Sequence, residues 1–314
     1  MTGLTGPVFA SADTQFFINI CITGLTTGFL YALIALGYTM VYGIVELINF
    51  AHGDLFMLGC FFALSLGGVV MAQTGSPWAT IALMLLATPV FCAVVNMLVD
   101  RSVYKALRTA PKLAPLVSAI GVSFVFMNIG LFWGGSQDVN FPGLIEERNL
   151  LSEEGGIQFT TTDLLVILVT IPVMIGLTVF VKATSLGKAM RATAQNPIAA
   201  RLMGINVDRV IAVTFLIGGA LAGVASVIYG LKIKTIGYQM GFQNGLYAFT
   251  AAVLGGIGNI PGAVLGAIVI GMVYSLASAY IDARWATAMV FVILIVILVF
   301  RPTGLLGART REKV

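Results

Sequence analysis

Nine apolar runs divide the chain, near 16–45, 53–73, 78–99, 113–134, 162–181, 209–230, 242–258, 262–281 and 286–300. Most have about the 20 residues that carry a helix across the hydrocarbon of a bilayer. The first is too long for one simple crossing and reads either as a tilted helix or as a helix followed by a broken segment. The tract 242–281 holds Gly255, Gly256, Gly258, Pro261 and Gly262. It reads as two spans or as one span plus a re-entrant piece, with the glycines as a hinge in either case. Gly219 with Gly223, and Gly262 with Gly266, recur at the spacing that brings small residues onto one helix face. In lipid such faces let backbones approach closely. The pattern therefore predicts an all-α polytopic membrane protein, with eight to ten membrane helices in a compact bundle and a single transmembrane domain over 1–314.

Composition closes off the soluble alternatives. The chain is 59% hydrophobic and 10% charged, with a mean hydropathy of +1.00, whereas a soluble domain carries about 25% charged residues. Cys21, Cys60 and Cys92 all fall in apolar runs without metal-like spacing and read as small core residues. The net charge of +4 does not point to nucleic acid, because the basic residues sit in loops, where they set orientation. Arg101, Lys105, Arg108 and Lys112 follow the third run. Lys182, Lys188, Arg191, Arg201 and Arg209 follow the fifth, and Arg301, Arg309, Arg311 and Lys313 close the chain. The positive-inside rule makes these three regions cytoplasmic. The loop 135–161 carries Asp138, Glu146, Glu147, Glu153 and Glu154 against one Arg148, which suits the outer face. Lys232 and Lys234 fall on that side as a minor exception. Counting back places the N-terminus outside. The first fifteen residues hold Asp13 and neither Lys nor Arg, so no secretory signal with a basic n-region is expected.

Enzymatic signatures fail on inspection. Gly187-Lys188 is followed by Ala189 and lacks the leading glycine of a phosphate-binding loop. Gly256-x-Gly258-x-x-Pro261 imitates a dinucleotide fingerprint but lies between apolar spans. The only histidine, His52, has no nucleophile-elbow serine to serve. No catalytic residue and no metal site are expected.

Two features rise above this background. The first lies in the cytoplasmic loop 182–209, where Asn196-Pro197-Ile198-Ala199-Ala200-Arg201-Leu202-Met203-Gly204 reads as a complete miniature helix. Asn196 is an N-cap, Pro197 suits the first helical position, and Gly204 can close the C-terminus in the left-handed conformation. Ile198 and Leu202 make an apolar ridge. A helix this short is unstable alone in water, so it docks either on its own bundle or in the groove of another protein. The second feature is polar. Thr27, Tyr31, Tyr38 and Tyr42 fall within about 60° of one another on a helix, with Glu46, Asn49, His52 and Asp54 just beyond. Polar groups inside spans usually face the protein interior or a watery path. These residues read as a translocation path or, equally, as packing tyrosines beside a structural hydrogen-bond cluster.

Ala199-Ala200-x-x-x-Gly204 resembles the E-A-A-x-x-x-G coupling loop of ABC-importer permeases, with Ile198 in place of the glutamate. Around it, Gly187–Ala192 and Gly204–Ala212 are similar to the branched-chain amino acid permease family, in particular its H-type subunit. So are Tyr31–Gly43, Ile48–Gly53 and Ala248–Ala263. The resemblance implies a multi-pass permease of the bacterial inner membrane working by alternating access. Its partners would be a second, M-type permease, two cytoplasmic ATPases that hold ATP and Mg, and an external substrate-binding protein. It implies branched-chain amino acids as cargo, while the same permease type also resembles those for urea, short amides and other amino acids. A channel or ion-coupled carrier needing no ATPase is the alternative of a different class.

Overall fold

A computed structural model describes residues 6–45, 47–108, 110–111, 113–151 and 156–307, with side chains from residue 14 onward. Glu46, Lys112, Glu153, Glu154, Arg309, Arg311 and Lys313 lie outside the described residues, as does the side chain of Asp13. Eight described helices are long and apolar enough to cross a membrane.

Helix α1 (Gly6–Val45) is followed by a non-helical stretch, and α2 (Ala51–Thr74) then begins. The first run, 16–45, is one continuous helix, so of its two readings the single long helix holds, and the non-helical residues 47–50 lie beyond it. Helix α3 (Pro77–Val99) continues through a π-helical turn, Asp100–Tyr104, into a last α-helical turn, α4 (Lys105–Leu107). Next come α5 (Leu113–Gly134), α6 (Thr161–Ala183), the cytoplasm-assigned helices α7 (Ser185–Gln195) and α8 (Pro197–Leu202), and α9 (Val207–Ile233). The ambiguous Gly-rich tract resolves into a short helix α10 (Met240–Gly255) and a span-length α11 (Ile260–Tyr280), before α12 (Ala283–Phe300). The only described strands are β1 (Val139–Asn140) and β2 (Thr235–Ile236), paired antiparallel.

Helix α1 is the axis of the bundle, with 72% of its span window buried, whereas α12 has 11% and lies at the periphery. The outer helices expose residues that water would not tolerate, among them Trp78, Phe132 and Phe300. They face lipid or another subunit. Small-residue packing is used where the sequence indicated it. A methyl group on Gly219 or Gly223 would strike the α3 backbone at Cys92 and Pro89, and one on Gly266 would strike α10 at Ala251. Cys60 and Cys92 are buried, and their thiols point at the carbonyls of Ser226 and Leu55. Cys21 is half-buried.

The charged residues segregate to the two ends of α9. At its start, Asp208 pairs with Arg108 at 2.6 Å. At its end, Lys232 pairs with Asp163 at 2.7 Å and Lys234 with Glu147 at 3.0 Å. At 1.5 Å rise per residue, Asp208 and Lys232 stand roughly 36 Å apart. The two lysines that break the positive-inside pattern are thus matched by acids of the loop 135–161 and of the helix that follows it.

Candidate coupling surface and translocation path

Helix α8 is built as its sequence indicates. The Asn196 side chain accepts from the N–H groups of Ile198 (2.9 Å) and Ala199 (3.0 Å), satisfying donors that a helix start leaves unpaired. Pro197 occupies the first turn. At the other end Gly204 has φ of +82°. Its N–H bonds to Arg201 O, and that of Ile205 bonds to Ala200 O. What the caps leave open is which face docks on the chain's own bundle. Ala200 does, buried to 3% exposure. Ile198, Leu202 and Met203 point away and are 71%, 84% and 83% exposed. Arg201 is exposed, 3.8 Å from Asp208. Arg201, Gly204 and Asn206–Asp208 line a wide polar hollow beside the helix. The apolar ridge is therefore unpartnered among the described residues.

The break between α1 and α2 gathers four of the six proposed path residues. Tyr38, Tyr42, Asn49 and His52 line one narrow pocket, closed on the other side by Phe249 and Val253 of α10. About 10 Å³ of it is open to a water-sized sphere, room for about one water. The His52 ring packs edge-on against Tyr38, with centroids 4.8 Å apart, and Tyr38 in turn meets Phe249. Tyr104 donates a 2.8 Å hydrogen bond to Asn49 Oδ1. Among the described residues Asn49 Nδ2 and Thr39 Oγ1 have no hydrogen-bond partner, and the His52 ring has no polar side chain bonded to it, only the Ile34 backbone nearby. Buried polar atoms left unpaired cost about 1–3 kcal/mol each, so they are unusual in a region whose only task is packing.

Tyr31 belongs to a different group. Its ring meets Tyr247 at 5.3 Å, and Tyr247 meets Tyr274 at 5.5 Å. The Tyr247 hydroxyl pairs with Thr287 Oγ1 at 2.6 Å and accepts from Gln243. Thr27 is half-buried and lines neither group. Two participants were not among the six proposed path residues. Asp54, fully buried in the first turn of α2, accepts from Ser123. It is the only acid in the α2 run, a signal that was visible. Tyr104 lies in the π-helical turn, and nothing local marked it.

The glycine tract forms a tight corner. Gly256 (φ +101°) and Gly258 (φ +84°) turn the chain between α10 and α11, and Pro261 sits in the first turn of α11. Gly255 and Gly262 are in backbone contact across that corner. The segment 301–307 straps over it. Leu305 and Leu306 donate to the carbonyls of Leu254 and Gly255, and Asn259 donates to Leu306 O. Among the described residues no group of three His, Cys, Asp or Glu could hold a metal ion.

Residues 20–299 match the family model described as the permease component of branched-chain amino acid transport systems. The chain belongs to that family. It is 39% identical over 307 residues to the high-affinity branched-chain amino acid transport system permease protein LivH of Salmonella typhimurium and of Escherichia coli. Each alignment covers 97% of this chain and 100% of the relative. It is also 39% identical over 304 residues to BraD of Pseudomonas aeruginosa, covering 95% of this chain and 98% of that one. No solved structure matches. The protein is a multi-pass inner-membrane permease subunit of an ABC importer, a system that includes further permease and ATPase components.

Proposed function

We propose that this permease carries branched-chain aliphatic amino acids inward, and that α8 is the helix through which separate ATPases drive it. The observation that carries the proposal is the outward ridge of Ile198, Leu202 and Met203 on a capped six-residue helix whose one buried side chain is Ala200. Three large apolar side chains held in water by a helix this short call for a partner groove, since burying each is worth about 1.5–3 kcal/mol. ATP and Mg would belong to two cytoplasmic ATPases. A second, M-type permease would complete the membrane unit, and an external binding protein would deliver the solute. Alternating access would then be a reorientation of the bundle around a path of Tyr38, Tyr42, Asn49 and His52, in which the aliphatic wall tolerates a branched side chain without gripping it. Tight specificity would reside in the binding protein.

The test is a panel of solutes offered to the assembled, reconstituted complex with its binding protein, reading ATP hydrolysis. Leucine, isoleucine and valine are expected to stimulate hydrolysis, while urea, short amides and polar amino acids leave it at its basal rate. Stimulation by one of the latter alone would replace the substrate. Uptake that persists with the ATPases omitted would replace the mechanism with that of a channel or carrier.

A further inference from the structure

Two apolar clusters exist in the described residues, and the smaller one connects α8 to the break between α1 and α2. It contains Ala200, the one buried residue of α8, together with Phe215 of α9, Tyr104 of the π-helical turn and Val41 of α1. Val41 also lines the pocket at the break. The Tyr104 ring packs on Phe215 with centroids 5.4 Å apart, and its hydroxyl reaches Asn49.

An ionic route runs alongside. Asp208 lies near Arg201 of α8 and accepts from one arm of the Arg108 guanidinium at 2.6 Å. The other arm holds both oxygens of Asp100, at 2.6 and 2.8 Å, in the same π-helical turn as Tyr104. Asp100 is 2% exposed and Tyr104 1%. Close-packed interiors transmit displacement because they have no slack to absorb it, and π-helical turns inside α-helices recur at functional sites.

We infer that Arg108 and Tyr104 are positioning residues that carry displacement of α8 into the break at Asn49. The inference rests on α8 being the ATPase contact. Arg108 clamps the start of α9 to the π-helical turn, so the loop holding α8 and the end of α3 move together. Tyr104, on that turn, then pulls or releases Asn49, and with it the segment that closes the pocket from the side of α1. Neither residue lines the pocket or belongs to the exposed ridge of α8, and Tyr104 reaches the path only through Asn49.

The experiment uses the complete transporter in proteoliposomes and reads solute moved per ATP hydrolysed in Tyr104→Phe and Arg108→Gln. Both variants are expected to assemble and to keep basal hydrolysis. Solute moved per ATP falls about fivefold or more, the size of a modest coupling free energy. The double variant falls no further than the worse single, because the two act on one turn. A ratio unchanged in Tyr104→Phe overturns the inference, as does a proportional fall of uptake and hydrolysis. Tyr104→Phe removes a single hydroxyl, so it decides the matter even if Arg108→Gln fails to fold. Leu202→Asp separates the underlying reading. Loss of ATPase co-purification there supports docking on α8, whereas intact assembly and uptake remove the docking without reference to the Tyr104 ratio.

Discussion

Gly37→Ala probes the pocket through a single methyl group. A Cβ at position 37 would meet the His52 imidazole, with Cε1 at 2.5 Å and the Gly218 carbonyl at 3.2 Å on the other side. Ordinary contact is about 3.5 Å, so the ring must retreat by about 1 Å. The ring is also packed against Tyr38, with centroids 4.8 Å apart, so it has little slack to absorb the shift. Overpacking of this kind costs typically about 1–3 kcal/mol, partly offset by up to about 1 kcal/mol from the better helix former. At about 2–4 °C per kcal/mol, Gly37→Ala should lower the unfolding midpoint of the detergent-solubilised protein by several degrees. Gly68→Ala is the control, since a methyl group there meets nothing within 4 Å. It should leave the midpoint unchanged or raise it. Combining Gly37→Ala with His52→Ala removes the obstructing ring, and the double variant should recover most of the loss relative to His52→Ala alone. A Gly37→Ala protein as stable as the parent would refute the placement of His52. So would a double variant in which the two costs simply add.

Removing the caps of α8 should loosen that helix without unfolding the bundle. Asn196→Ala should cost the helix about 1 kcal/mol, and Gly204→Ala, which forces a side chain into left-handed backbone, about 1–2 kcal/mol. Amide exchange over residues 198–203 should quicken about fivefold per kcal/mol while the global midpoint holds. Equal protection in the parent and in Asn196→Ala would contradict the capping geometry. At the far end of α9, Lys232→Met strands the Asp163 carboxylate, whose side chain is 6% exposed. This should cost up to about 3 kcal/mol, the low end for a broken buried pair, because Lys232 still reaches solvent. Lys234→Met breaks a pair exposed on both sides and should cost less than about 1 kcal/mol. Thermal midpoints that rank the two the other way would show that burial does not govern these pairs.

Helix α8 was readable because capping is local chemistry, in which Asn196, Pro197 and Gly204 each act within a few residues of themselves. The break between α1 and α2 was readable for a related reason, since the block holding Asn49 and His52 falls between two apolar runs. The span limits also follow closely from hydropathy, as at Leu113–Gly134. What sequence left open depends on distant partners. Gly255, Gly256 and Pro261 fit a hairpin of spans and a re-entrant piece equally well. The corner is fixed by Leu305 and Leu306 pairing with Leu254 and Gly255 across some fifty residues. The region around Arg101, Lys105 and Arg108 read as loop because it is charged. It is largely helical, and Arg108 is neutralised by Asp100 and Asp208, the second of them a hundred residues away. Tyr31 shares a helix face with Tyr38 and Tyr42, yet it packs against Tyr247, a neighbour supplied by α10.

The most direct measurement is site-specific cross-linking from α8 in the assembled transporter, with a photoreactive side chain in place of Ile198 or Leu202 and one at Ala200 for comparison. Adducts to the nucleotide-hydrolysing subunit should form from positions 198 and 202, change in yield with ATP, and be absent from the inward-facing position 200. Labelling that joins 198 and 202 only to lipid or to the permease itself, or that shows them reachable from the outer face of sealed vesicles, would contradict the role given to this helix.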